Sequence, residues 1–145
     1  GDQFTEPILQ LLKRSPGIFL LPGQEEVLLQ PLFVEDLVTC MVLALDDEKT
    51  INRVYSIGGV EFLSYREIVR MIARQVGLKR IYLPISLGNM RRLTLWVNQL
   101  DKKFPISVFW LDTLAENRTC TIDILPREFG IMPARLQQKL TYLNH

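Results

Sequence analysis

Few side chains in this sequence could do chemistry, and they are scattered. The single histidine is His145, the last residue, so a serine or cysteine nucleophile would lack an anchored base. The two cysteines, Cys40 and Cys120, form no CxxC and no Cys/His ligand spacing, which gives metal ligation by these residue types no support. Carboxylates come as neighbours, Glu25-Glu26, Glu35-Asp36 and Asp46-Asp47. Adjacent side chains on a helix diverge by about 100°, so none of these makes an aligned acid/base pair. A tyrosine followed four residues later by lysine lowers the phenol's pKa for proton transfer beside a hydride donor. Tyr55, Tyr65, Tyr82 and Tyr142 all lack that lysine. There is no Walker loop and no GxGxxG. Gly58-Gly59 could cradle a phosphate after a strand, but without a third glycine at the right spacing a turn that uses positive φ is the simpler reading. Arg66, Arg70 and Arg74 recur at four-residue steps; Glu67 interrupts them, and a solvated helix face accounts for them better than a phosphate contact. By its residues alone, the chain is a small α/β domain without a complete active site.

The elements that would position such residues can be read from periodicity. The stretch from Gln30 to Leu45 reads as a short buried strand, Gln30 to Phe33, running straight into a helix. Leu37, Cys40, Met41, Ala44 and Leu45 share one helical face, and Glu35-Asp36 suits the positive end of the helix dipole. This stretch is expected to be the one around which the rest packs, near a ligand cleft where strand ends and helix starts converge. Before it, Phe4, Ile8, Leu11 and Leu12 mark a helix stopped by Ser15-Pro16-Gly17. Ile18 to Leu21 is a strand closed by Pro22-Gly23, and Gln24 to Gln30 a second short strand or turn.

After it, Val54-Tyr55-Ser56-Ile57 alternates like a strand. Ser64-Tyr65-Arg66-Glu67 is a capping box opening a helix that buries Tyr65, Ile68, Val69, Ile72 and Val76 and stops at Gly77. Arg80 to Leu83 reads as a strand. Ser86 opens the longest helix, with Leu87, Met90, Leu93, Val97, Leu100 and Phe104 on one stripe; Leu95 and Trp96 lie off it and are candidates for a second packing or partner surface. Short helices follow around Val108 to Leu114 and, capped by Asp123, from Ile124 to Phe129 before Gly130. Pro133 starts a last helix with Leu136, Leu140 and Leu143 inward.

With 145 residues, 48% of them hydrophobic and 23% charged, the chain is one ordinary domain rather than a disordered segment. A formal net charge of +1 supplies no field that would draw it to nucleic acid or to a membrane surface, and neither partner is expected. No signal peptide and no apolar run of membrane-spanning length is present, so a cytoplasmic protein is expected. The start, Gly1-Asp2-Gln3 without a methionine, suggests a piece of something longer.

Taken in order, several strings carry a resemblance. They are Gly1-Asp2 before a helix, Gln30-Pro31 through Val34-Glu35-Asp36-Leu37, Val54 through Glu67, Leu83-Pro84, and Phe129-Gly130-Ile131-Met132-Pro133. Over nearly the whole chain they resemble the C-terminal half of an extended or atypical short-chain dehydrogenase/reductase of the NAD-dependent epimerase/dehydratase superfamily, and most of all its branch similar to the NADPH-binding accessory subunit of respiratory complex I. The resemblance implies a small lobe of short strands packed with about six helices, residues 1–145 forming a single substrate-binding lobe. It implies that the Rossmann domain, with its glycine-rich loop and Tyr-xxx-Lys pair, would precede Gly1. NAD(P) would then be held by the full-length protein and no cofactor by this lobe, whose partners would be its own Rossmann domain, an unidentified small substrate and a second copy of itself. Gln30 and Phe33 would bind substrate. Leu29 stands where sugar-nucleotide epimerases often carry a diphosphate-holding arginine, and Phe33 where relatives commonly have histidine, so a nucleotide-sugar substrate is not expected.

Overall fold

At the centre of the domain lies the helix opened by the capping box. In a computed structural model that describes residues 4–22, 27–102 and 104–144, this helix, α3, spans Tyr65–Gln75. Ser64 Oγ accepts from the Glu67 amide while the Glu67 carboxylate accepts from the Ser64 amide, satisfying two of the first turn's orphan groups. Ile68, Val69 and Ile72 are fully buried, and Arg66, Arg70 and Arg74 keep to the opposite side. Burial of each large aliphatic side chain is worth about 1.5–3 kcal/mol, so this face contributes several kcal/mol to the domain's stability. The helix ends where Gly77 turns into the left-handed region, φ +70°.

Two elements close over α3. Helix α1, Thr5–Arg14, packs Ile8, Leu9 and Leu12 against it. From the other end of the chain, the 3₁₀ turn Leu140–Asn144 brings in Leu140 and Leu143. Strand β1, Ile18–Pro22, follows α1 and pairs in parallel with β4, Ile81–Ile85, in the register Ile18 to Ile81. The Arg80 guanidinium pins the start of β4 to α1, donating to the Leu12 carbonyl at 2.9 and 3.2 Å. A second pair joins β2, Leu28–Leu29, antiparallel to β3, Leu63–Ser64. Leu29 also makes an isolated parallel bridge with Arg118.

The stretch expected to organise the core lies at the edge instead. Helix α2 does form, over Val34–Asp46, but Cys40 is its one buried residue; Met41 and Leu45 are 58% and 86% exposed. The cause is composition. This helix is apolar almost all round, so periodicity cannot say which side docks, and the side that does dock rests on helix α6, Ile124–Phe129. Residues 30–33 are extended but unpaired, and the strand expected at 54–57 is likewise absent: Val54 to Ile57 make no backbone hydrogen bond among the described residues. Alternation gives a chain segment strand character, but a strand exists only beside a neighbour.

The remaining helices are α4, Leu87–Leu100, capped by Ser86; α5, Val108–Asp112, capped by Ser107; and α7, Leu136–Lys139. Helix α4 ends before Phe104; Met90 of its expected stripe is buried, but Leu93 and Leu100 are exposed and the other buried residue is Thr94, off that stripe. Helix α7 starts three residues after Pro133, and its Leu136 is buried as expected. Asp123 sits at the N-cap of α6 without capping it: its own backbone is helical, the N3 residue Pro126 has no N–H to donate, and Arg127 holds the carboxylate at 2.5 Å. Seven α-helices and four short strands among the described residues make this a small α/β domain. The segments around Gly23 to Glu26, with part of the expected second strand, lie outside the described residues.

Candidate functional site

A cleft of about 850 Å³ opens where four separate parts of the chain meet. One wall is the extended run from Leu29 to Phe33 and the first residues of α2; opposite it stand Phe4 and Thr5 at the start of α1. Leu136, Lys139 and Tyr142 enter from the C-terminal helices, and Thr113 and Arg118 from the loop after α5. Its walls are mostly apolar, which suits a ligand whose body is hydrophobic.

The extended wall is held by Gln30. Its carboxamide donates to the Gly59 carbonyl at 2.7 Å and accepts from the Cys120 amide at 2.7 Å, so both ends of the side chain are engaged with backbone. The glycine pair is required by this approach and not by a turn, since neither Gly58 nor Gly59 has positive φ. A Cβ on Gly59 would fall 1.8 Å from the Pro31 carbonyl oxygen, and one on Gly58 would fall 2.5 Å from the Gln30 side chain. Gln30 and Phe33 thus both line the cleft, Gln30 with its polar end already committed.

Phe33 is half-buried, with the Lys139 ammonium 5.9 Å from its ring centroid. Lys139 also donates to Glu35 at 2.5 Å; that hydrogen bond and the charge behind it hold the ammonium above its ordinary pKa. Across the cleft the Thr5 and Tyr142 hydroxyls share a hydrogen bond of 2.5 Å. Asp36, next to Glu35, accepts from the Ala134 amide at 2.9 Å, and Glu61 accepts from the Leu136 amide at 2.8 Å, fixing the entry to α7.

This arrangement can enclose and orient a ligand. Burial pushes both thiols, Cys40 and Cys120, up from their ordinary pKa, which disfavours the nucleophilic thiolate. Burial also keeps the Tyr65 phenol neutral. No cluster of three or more His, Cys, Asp or Glu side chains able to hold a metal occurs among the described residues. Arg118, Lys139, Thr5 and Tyr142 were not visible from sequence as site residues, because they reach the cleft only through long-range contacts such as the Leu29–Arg118 bridge. No local motif signals them.

No family model and no curated protein matches this chain. Solved structures do. The crystal structure of gox2253 superposes with a TM-score of 0.60 at 18% identity, covering 94% of this chain and 40% of that one. The triphenylmethane reductase of Citrobacter sp. superposes with a TM-score of 0.65 at 13% identity, covering 96% of this chain and 47% of the reductase. This chain therefore spans less than half the length of either. At such identities the likeness concerns the fold alone: this chain folds like part of each of these longer structures. No helix among the described residues is long and apolar enough to cross a membrane.

Proposed function

We propose that this chain is the C-terminal, substrate-side lobe of an NAD(P)-dependent short-chain dehydrogenase/reductase of the epimerase/dehydratase type, completed by a dinucleotide-binding Rossmann half that precedes it. The observation that carries this reading is the outer face of α2. Val34, Val38, Met41, Val42 and Leu45 fall on one side of the helix and all stand exposed. A helix apolar on every side belongs inside a larger body, so a second layer is needed to cover it. The run Val54 to Ile57, with Val54 97% exposed, makes no backbone hydrogen bond among the described residues and leaves backbone groups that a neighbouring strand could pair. The matched structures, each more than twice as long as this chain, have room for such a layer.

On this reading the cleft beside Gln30 and Phe33 forms the substrate wall, and the missing half brings NAD(P) and its Tyr-xxx-Lys pair to it. Gln30 acts by shaping the wall, and Phe33 by offering a flat apolar surface to the ligand. The lobe by itself turns over no substrate and holds no dinucleotide, because a pyrophosphate is bound at a glycine-rich helix start that this sequence lacks. In a calorimetric titration the intact protein, expected in the cytoplasm, should bind NADH or NADPH at micromolar concentration, and the chain 1–145 should not. Micromolar binding by the chain alone would overturn the assignment.

A second reading has one observation of its own. Leu95, Trp96 and Leu100 on α4 and Phe109 on α5, two helices in contact, are exposed, and none of them lines the cleft. It fits an intact protein that binds NADPH as a structural element and serves as an assembly subunit, as in the complex I branch. Turnover of NAD(P)H that is lost on mutating an upstream Tyr-xxx-Lys pair selects the enzyme; absence of that pair selects the assembly subunit.

A further inference from the structure

The cleft's polar side chains are nearly all spoken for. Gln30 is bonded at both ends, Lys139 is paired with Glu35, and the Thr113 hydroxyl donates to the Trp110 carbonyl at 2.6 Å. Thr5 and Tyr142 bond one another. Arg118 is different: its guanidinium makes no hydrogen bond or ion pair among the described residues. Its backbone is nonetheless fixed. The Arg118 amide donates to the Leu28 carbonyl at 3.0 Å, and the neighbouring Asn117 side chain accepts from the Leu28 amide at 2.8 Å. An uncommitted cation carried on a fixed stretch of backbone at the rim of an apolar cleft is a recognition element for an anion.

The geometry points to Arg118 as the anchor for the carboxylate of an otherwise apolar ligand seated in this cleft. This rests on the reading of the cleft as a substrate wall and names the class of substrate. The charge count selects a monoanion. Glu35 and Lys139 neutralise one another across the same cleft, which among the described residues leaves one unpaired positive charge in its lining, that of Arg118. A planar guanidinium matches one carboxylate through two parallel N–H···O bonds, whereas a phosphate monoester or diphosphate would need further cations. The Phe33 ring and the aliphatic walls formed by Leu29, Leu32 and Leu136 would cover the apolar body.

The test uses the intact protein and two probes of equal chain length, decanoate below its micellar concentration and 1-decanol, titrated calorimetrically. Decanoate binds about tenfold more tightly than decanol, the worth of one charge-assisted hydrogen-bonded pair. Arg118→Gln removes that preference while leaving decanol binding unchanged, and Arg118→Lys retains part of it. Thermal melts of both variants confirm that this exposed position leaves folding intact. Equal binding of the two probes by the unmodified protein, binding of neither, or a preference that survives Arg118→Gln would overturn the assignment. Decyl phosphate bound more than tenfold tighter than decanoate would overturn the choice of carboxylate. An NADPH titration of the unmodified protein reports separately on the dinucleotide half: no NADPH binding with the decanoate preference intact would sink the proposed function and leave the Arg118 site standing.

Discussion

Helices α2 and α3 are of similar length and both carry runs of aliphatic residues, yet one lies on the surface and the other at the centre. In α3 the apolar and charged residues are segregated: Ile68, Val69 and Ile72 on one side, three arginines on the other. That segregation determines how the helix must sit, and it sits that way. In α2 there is nothing to segregate, since from Leu37 to Leu45 only Thr39 is polar. The richer hydrophobic content therefore gives less information about position. It also leaves apolar surface uncovered, the surface that the proposed second layer would cover.

The contrast can be broken most forcefully at α3. Ile72→Ala should cost about 2–5 kcal/mol, the usual range for emptying a fully buried aliphatic site, read as a drop in the denaturation midpoint with an unchanged slope. A loss under 1 kcal/mol would mean that the centre is elsewhere. Gly59→Ala comes next, because its new methyl group would meet the Pro31 carbonyl and force apart the two segments that form the cleft wall. About 1–3 kcal/mol is expected from such overpacking, with loss of the Gln30 clamp visible as faster exchange of the Cys120 amide.

A smaller effect is expected at the start of α3. Ser64→Ala removes the cap and should cost about 1 kcal/mol. The same cap carries a pH signature. Hydrogen bonds from the Ser64 backbone and side chain hold the Glu67 carboxyl below its ordinary value of 4.5. A depressed folded-state pKa stabilises the fold above the unfolded value and loses that stabilisation as pH falls through the folded one. The difference in stability between Ser64→Ala and the unmodified chain should therefore be full at neutral pH and shrink as pH falls below about 4.5. A difference that holds constant down to acid denaturation would show that the Ser64 hydroxyl does not bond the Glu67 carboxylate, the backbone bond from Ser64 being common to both chains. The smallest effect belongs to α2: Val38→Ser should change the stability of the chain 1–145 by no more than about 0.5 kcal/mol, since the residue is already half exposed to water.

These two helices also mark how far the sequence could be read. The capping box, the α3 core face, the end of α1 at Ser15 and the strand from Ile18 follow from local rules, and the structure has them. The expected strands at 30–33 and 54–57 fail because pairing depends on a neighbour that local alternation does not specify. Gly58-Gly59 was legible as a special site but not in its purpose, since close approach to Pro31 is a tertiary contact. The cleft was half legible. Gln30 and Phe33 come from one continuous stretch, while the opposite wall joins Thr5 to Tyr142 across 137 positions of sequence. Arg118 shows the same limit: nothing in Glu116-Asn117-Arg118 beyond a chain break announces that it will lie beside Leu29.

Hydrogen exchange at the amides of Val54 to Ile57, compared between the chain 1–145 and the intact protein, tests the central claim most directly. These amides have no backbone partner within the described residues and should exchange freely in the chain alone. Slowing by a factor of about a hundred or more in the intact protein, together with protection of the exposed side of α2, is the predicted result for an edge paired into a second layer. Equal, fast exchange in both would contradict it.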